Sequence, residues 1–399
     1  MTIESTIETR ILFVDDEPAI LDGLRDLLRK ERRRWDMVFA LGGQEALDQL
    51  ARQSFDVVVS DIRMPGIDGA QLLTQVKATY PCVARIVLTG HADRDAVLRA
   101  LPVAHQFLTK PCDAGALRVA IERTQALHTL LESGEIRDIV GRLSALPSVP
   151  QTYLALTDAA RDPRKGLSDM TAIVQRDPAM STKVLQLANS AYFGNSQPIA
   201  SIQQAVMYLG IELLKGLALT GNVFGTMGKS VVDGFSLEAL QTRSLRTACL
   251  AKRFVEDPRR AEEAFTAALV ADVGQIIMAM GLRKGYQDVL RRARETGRAV
   301  HHVELETLGI THAEVGAYLL GVWNLPFSII EGVAYHHRPD ALGDGPCEML
   351  AALYAADALV EPPPGGGEPE LDHAFVERAG LGERLVEWRR IAAAVRAAA

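Results

Sequence analysis

The sequence predicts an α/β doubly wound domain followed by an all-α helical domain, and three observations predict it. Short apolar runs end on polar residues: Ile11-Leu12-Phe13-Val14 on Asp15-Asp16, Val57-Val58-Val59-Ser60 on Asp61, and Phe107-Leu108 just before Lys110-Pro111. Such runs read as buried parallel strands, so the fold should gather their polar ends at one sheet edge. Beyond Pro150 the pattern changes to repeated helical amphipathicity with few β-branched runs. The length of 399 residues exceeds what one core usually supports, so two or three domains are expected.

Carboxylates from two strand ends make a hard-oxygen pocket suited to Mg²⁺, which keeps several waters and bridges to phosphoryl groups. Lys110 nearby would offset the remaining negative charge, and an aspartate there is a nucleophile that can receive a phosphoryl group. A plainer reading stands beside this one. Asp15-Asp16-Glu17-Pro18 has the form of a helix start with acids in its first turn, and Phe107 alone reads as a core aromatic.

Taken together and in order, residues 1–130 resemble the receiver domain of bacterial response regulators, a flavodoxin-like fold. The resemblance rests on Asp15-Asp16, Asp61, Met64-Pro65-Gly66 with Asp68-Gly69, Leu88-Thr89-Gly90, and Phe107 three places before Lys110-Pro111. It implies that Asp61 is the phosphoacceptor. Asp16 and Asp61 would hold Mg²⁺, with Asp15 helping through water and the backbone carbonyl of Arg63 as a further ligand. Thr89 would hydrogen-bond the phosphoryl oxygen, Lys110 would pair with it, and Phe107 would follow Thr89 in its rotamer. None of these positions departs from the family pattern.

The balance of 43 basic and 50 acidic residues, net charge −7, argues against a large nucleic-acid footprint. The one basic cluster, Arg29-Lys30 with Arg32-Arg33-Arg34, is broken by Glu31 and reads as the solvated end of the first helix. Cys82, Cys112, Cys249 and Cys347 lie far apart, without metal or redox spacing, which suits free thiols in a reducing compartment. Residues 1–10 have no apolar signal core and no uninterrupted apolar run reaches bilayer length, so a cytoplasmic location is expected.

From Asp113 to about Arg142, Leu117, Ile121, Leu127, Leu130, Leu131, Ile136, Ile139 and Leu143 recur near helical spacing, interrupted at Ser133-Gly134. The stretch is either the last receiver helix running into a helical connector, residues 131–145, or a surface helix ending at Gly134 and followed by a loop. The prolines of Leu146-Pro147-Ser148-Val149-Pro150 forbid further helix in both cases. Helices are then expected over Thr152–Ala160, Leu167–Arg176, Ala179–Asn189 and Ile202–Val223, with an insertion at Pro362-Pro363-Pro364-Gly365-Gly366-Gly367.

Gln175-Arg176-Asp177-Pro178-Ala179, Lys183 to Gly194, and Ile202 with Ala205-Val206 and Leu209-Gly210 resemble the opening of an HDOD domain, an output domain related to the HD metal-dependent phosphohydrolases. The resemblance runs from about Leu146 to Asp357 and extends the output domain to residues 146–399. Hydrolases of the HD kind need His and Asp ligands around divalent metals that activate water. Here His312, His336-His337 and Asp357 survive, but Arg243 stands where a ligand His should open its helix, the His-Asp pair has become Ala271-Asp272, and the Lys after the glycine has become Gln275. Arginine stays protonated and repels a cation, so the resemblance implies a dismantled hydrolytic centre with no metal expected.

Two readings of the survivors stay open: a hydrogen-bonded remnant, or one residual metal on Asp272, His336 or His337, and Asp357. His301-His302, after Gly297, reads as a solvated loop, and Trp323 as a core anchor. The expectation is a two-component response regulator: a histidine kinase phosphorylates Asp61, and a non-enzymatic output domain binds another signalling protein, with a homodimer through the receiver or connector. The competing class is a cyclic di-GMP phosphodiesterase of the HD-GYP kind. Arg243, Ala271, Gln275 and the tract Arg338-Pro339-Asp340-Ala341-Leu342-Gly343, which lacks glycine-tyrosine-proline, stand against it. A DNA-binding regulator would need a basic recognition helix, which the sequence does not offer.

Overall fold

The computed structural model describes residues 9–89, 99–100, 103–110, 112, 114–130, 134–143, 146–148, 150–189, 198–211, 213–214, 225–226, 232–323, 325–342, 348–361, 371, 375 and 382–397. Gly90, Pro111 and the Pro362–Gly367 tract lie outside them. The chain divides into two compact units, with the main break after Ser144.

The first unit is built on five strands, β1 (Thr9–Asp15), β2 (Trp35–Leu41), β3 (Val57–Asp61), β4 (Ala84–Thr89) and β5 (Gln106–Thr109), in the order β2-β1-β3-β4-β5. All neighbours are parallel, with Val14 beside Ser60 and Asp61 beside Leu88. The order reverses between β1 and β3, and crevices at such a switch point are where open α/β sheets bind ligands. Every residue of β3 and β4 is buried, as a sheet covered on both faces requires.

The helices of this unit are α1 (Pro18–Leu27), α2 (Gly43–Arg52), α3 (Gly69–Thr79), α4 (Ala114–Leu130) and α5 (Gly134–Arg142). Pro18 opens α1 at a position where its missing N–H costs nothing, and Asp68 caps α3 in a reciprocal box with Gln71. One core face packs Ile11, Phe13, Trp35, Val57, Val59, Ile86 and Leu88 against Leu21, Leu24, Leu117 and Ile121. The basic cluster forms an exposed 3₁₀ turn over Arg29–Arg33, just after α1. Helix α5, expected as part of a connector, belongs to this unit and packs against α3.

The second unit contains α6 (Pro150–Arg161), α7 (Leu167–Val174), α8 (Pro178–Ala188), α9 (Ile202–Leu209), α10 (Leu237–Phe254), α11 (Pro258–Val270), α12 (Val273–Gly281), α13 (Arg283–Thr296), α14 (Val300–Leu308), α15 (His312–Val322), α16 (Phe327–Tyr335), α17 (Glu348–Leu359) and α18 (Gly382–Ala397). Asp177, Ser201, Ser236 and Asp257 cap their helices by accepting a backbone N–H three residues on. Helix α11 packs on α10, α16 and α17. Phe254 stacks on Trp388 at 4.8 Å, and Trp323 is buried as expected.

The second unit is helical as expected, with one two-residue parallel pairing of Pro147–Ser148 (β6) and Gly225–Thr226 (β7). Two expectations are corrected here. The helix expected over Ile202–Val223 stops at Leu209, because Gly210 has φ +76°, which a right-handed helix cannot contain. Finally, His301-His302 lies on α14 and not in a loop. By composition Pro258–Gly281, over α11 and α12, is long and apolar enough to cross a bilayer, yet 83% of its apolar window is buried in the protein, as in core helices.

Candidate functional site

The first unit brings its polar strand ends together. Asp15 ends β1, Asp16 follows it, and Asp61 ends β3 across the switch point. Lys110, just past β5, reaches back over β4: its Nζ lies 2.8 Å from Asp15 Oδ2 and 2.5 Å from Asp61 Oδ1. Asp61 Oδ2 accepts the Arg63 N–H at 2.9 Å, and Asp15 Oδ1 accepts the Glu17 N–H at 3.0 Å, so both carboxylates are oriented by the turns that follow them.

Burial is the largest influence on Asp61 and raises its pKa, against the lowering effect of the Lys110 hydrogen bond and charge. Burial pulls the Lys110 ammonium down, but its hydrogen bonds and charge contacts with Asp15 and Asp61 outweigh that and raise its pKa. The lysine is thus held charged against two carboxylates. Thr89 ends β4 fully buried and its carbonyl accepts the Lys110 N–H at 2.8 Å. Phe107 is buried beside Val87 in the register of β5. Asp16 is partly exposed and Arg63 exposed. The donors offered at this edge are carboxylate and carbonyl oxygens, which fit Mg²⁺.

The second unit assembles the remaining predicted residues in a pocket. Arg243 on α10 bridges two acids, with Nη1 2.7 Å from Asp272 Oδ2 and Nη2 2.7 Å from Asp357 Oδ1. Asp357 is the largest cause that raises the Arg243 pKa. Ala271 is buried at the end of α11, and the Gln275 amide donates to Asp272 Oδ1 at 3.0 Å. Helix α12 starts close against α15: a Cβ on Gly274 would lie 1.9 Å from the His312 carbonyl oxygen, so only glycine fits.

His312 is buried between acids. Its Nδ1–H donates to Glu304 Oε2 at 2.7 Å, and its Nε2 lies 3.1 Å from Asp272 Oδ1 and 3.0 Å from His337 Nε2. Burial pulls its pKa down, but Glu304 and Asp272 outweigh this and raise it to about 10. Burial and the Arg243 charge act oppositely on Asp272, and the guanidinium with His312 prevails to lower it. Burial, then neighbouring imidazoles, lower His301 to about 3 and His337 well below its usual value.

Sequence reading missed Glu304, which is fully buried and also accepts the Tyr286 hydroxyl at 3.2 Å, and it missed His301, whose ring stacks on His337 at 3.9 Å. The spacing from Glu304 to His312 crosses a helix boundary, so periodicity offered no signal for the pair. The surviving acids also divide differently from expectation. Asp357 is engaged by Arg243, while His312 joins Asp272, His336 and His337.

Comparison with known proteins agrees with this geometry. The response regulator receiver domain family matches residues 11–122, and the HDOD domain family matches 146–339. FixJ, a transcriptional regulatory protein of Bradyrhizobium diazoefficiens, is 33% identical over 144 residues, 35% of this chain and 69% of FixJ. GlrR of Escherichia coli, a transcriptional regulatory protein, is 31% identical over 48% of this chain and 41% of its own length. The MmoQ response regulator of Methylococcus capsulatus shares 26% identity over 61% of this chain and 98% of that one, TM-score 0.49. An uncharacterized Treponema pallidum protein matches over 39% of its length, so the chain spans about two fifths of that relative and of GlrR.

A parallel 2-1-3-4-5 sheet with an acidic switch point, followed by a helical domain of the HD-related kind, defines a regulator with a receiver. The chain belongs to the response regulator family and joins a receiver domain to an HDOD domain.

Proposed function

We propose that Asp61 accepts a phosphoryl group from a histidine kinase and that this modification controls protein binding by the HDOD domain. The observation that supports it is the placement of Lys110 Nζ within 2.8 Å of Asp15 and 2.5 Å of Asp61 at the sheet's switch point. Asp61 is the nucleophile: a carboxylate oxygen forms the acyl phosphate bond as the phosphorus–nitrogen bond of the kinase's phosphohistidine breaks and the imidazole leaves. Asp16, Asp61 and the Arg63 carbonyl would hold Mg²⁺, with Asp15 helping through water, and the ion would supply charge neutralisation for the phosphoryl group. Lys110 then pairs with a phosphoryl oxygen, and Thr89, one residue past the Asp61 neighbour Leu88, donates its hydroxyl to another. Phe107 moves with Thr89, which gives the two populated arrangements that a switch requires.

In the HDOD domain, the guanidinium held between Asp272 and Asp357 supports a binding role over hydrolysis. Its partner is another signalling protein in the cytoplasm, and nucleic acid is not a ligand. Phosphorylation is tested with acetyl phosphate and Mg²⁺ on a phosphate-affinity gel. A shifted band that Asp61→Asn abolishes is expected, and a band that survives the substitution would refute the assignment. Output is tested by comparing partner capture by the native protein and Asp61→Ala, with cyclic di-GMP turnover measured in parallel. Capture indifferent to position 61, or steady turnover, would overturn the binding role.

A further inference from the structure

We propose that Asp272, His312, His336 and His337 together bind one divalent transition-metal ion in the HDOD domain, in a closed site with a structural role. One donor atom from each lies within 4.8 Å of every other, and three of the four residues are buried. Four observations carry the assignment, three of geometry and one of charge.

His336 is fully buried, and its Nδ1 lies 2.7 Å from the Val333 carbonyl oxygen. A carbonyl only accepts, so Nδ1 carries the hydrogen and Nε2 is left with a bare lone pair. That Nε2 is buried and has no hydrogen-bond partner among the described residues. An orphaned buried acceptor is costly, and native proteins keep one where something else satisfies it. His312 is arranged in the same way, with Nδ1–H on Glu304 Oε2 and Nε2 turned toward Asp272 and His337. Imidazoles that bind metals almost always donate their other N–H to a carboxylate or a backbone carbonyl, and one of each is present.

The spacings fit as well. Metal–nitrogen bonds of about 2.0–2.1 Å place neighbouring donors about 2.9 Å apart at a right angle and about 3.4 Å apart at the tetrahedral angle. His312 Nε2 is 3.0 Å from His337 Nε2 and 3.1 Å from Asp272 Oδ1. Two imidazole nitrogens at that separation need a bridging proton or a shared cation.

Charge completes the argument. With His312 neutral, as a metal ligand must be, the carboxylates of Asp272, Asp357 and Glu304 have one guanidinium among them, that of Arg243 on the first two, which leaves two negative charges for a divalent ion to balance. Arg243 takes Asp272 Oδ2 and Asp357 Oδ1, so Oδ1 of Asp272, which also accepts the Gln275 amide at 3.0 Å, is the oxygen that faces the metal, and Asp357, whose Oδ2 lies 3.7 Å from His337 Nδ1, stands outside the donor group. The site accordingly takes one ion. Three imidazoles and one carboxylate select zinc, or iron, over Mg²⁺ and Ca²⁺, and four protein ligands leave no open position for hydrolytic water. The ion would clip the starts of α12 and α15 to the end of α16.

Co²⁺ titration of the metal-stripped full-length protein tests this, with excess Mg²⁺ present to fill oxygen-ligand sites. One equivalent per chain should give the intense visible bands of four-coordinate cobalt, and zinc should displace it and erase them. His336→Gln and Asp272→Asn should each weaken binding at least about a hundredfold, while His302→Ala, an exposed residue on the same helix as His301, should leave it unchanged. Zinc should raise the melting temperature of the native protein. The native titration decides the matter even if a variant folds poorly: weak octahedral bands alone, or binding below one equivalent, would overturn the site. So would cobalt bands that persist in well-folded His336→Gln.

Discussion

Arg85 donates from Nη2 to the backbone carbonyl of Gly141 across 2.7 Å, which fastens helix α5 to the receiver sheet. The guanidinium is completely buried in β4 and also donates to the carbonyls of Val103 (2.6 Å), Pro81 (3.1 Å) and Val83 (3.0 Å), with the His105 ring against it. It replaces water for several backbone acceptors at once, since buried carbonyls require partners. Removing it should therefore cost more than one hydrogen bond. Arg85→Met is expected to destabilise the receiver by about 3 kcal/mol and to speed amide exchange in α5, read by urea unfolding and hydrogen exchange.

Helix α5 lies flush on the turn before β4. A Cβ at Gly141 would sit 1.9 Å from the Pro81 carbonyl oxygen, and the Cys82 thiol donates to Asp138 at 2.9 Å. Gly141→Ala should push α5 away without touching any charge. Cys82 should then alkylate faster: burial, followed by Asp138, holds its pKa up at about 11, and separation relieves both. An unchanged alkylation rate in Gly141→Ala would argue against docking of α5.

Burial, followed by the charge of Arg85, lowers the Lys77 pKa to about 8. A lysine whose folded pKa is depressed opposes folding below that value, and the opposition fades as pH climbs from about 8 toward the unfolded value of about 10.4. Lys77→Met should therefore melt higher than the native protein near pH 7. The difference should shrink near pH 9.5, by an amount limited by the partial exposure of the side chain.

Arg243 compensates two acids in the HDOD pocket. Arg243→Met leaves Asp272 and Asp357 without the guanidinium between them and should cost about 3–5 kcal/mol. Because, against the upward pull of burial, Arg243 holds the Asp272 carboxyl well below its usual range, and that contribution fades as pH falls, the loss should be smaller under acid conditions than at neutral pH. Thermal melts of native and variant proteins across that range check both statements.

Lys110 neutralises the acidic edge even before modification. Lys110→Ala should keep Asp61 reactive toward acetyl phosphate but weaken its response to the modification, so that partner capture changes less on phosphorylation. EDTA should reduce labelling of the native protein at least about a hundredfold, since phosphoryl transfer of this kind depends on metal neutralisation. Labelling rates on a phosphate-affinity gel check each.

Legibility from sequence followed locality. Asp15, Asp16, Asp61 and Lys110 each end or follow a strand, so short apolar runs with polar ends located them, while Thr89 was implied by the receiver resemblance. Arg85 is a charge inside the apolar run Ala84-Arg85-Ile86-Val87-Leu88, but its partners come from three separate segments and no spacing reveals them. Gly210 falls inside the helix expected over Ile202–Val223, and its positive φ, which no periodicity shows, ends that helix. In the pocket the ancestral motif located His312 and His336. The tautomer of His336 depends on the Val333 carbonyl, a backbone contact with no letter in the sequence.

One strand holds both ends of the receiver's business. Thr89 closes β4 at the modified edge, and Arg85 grips α5 near its other end, four residues or about 13 Å away. A fully paired, wholly buried strand is stiff along its length. If phosphorylation pulls on the threonine hydroxyl as proposed, the strand itself offers the pull a route to the arginine that passes through no loop.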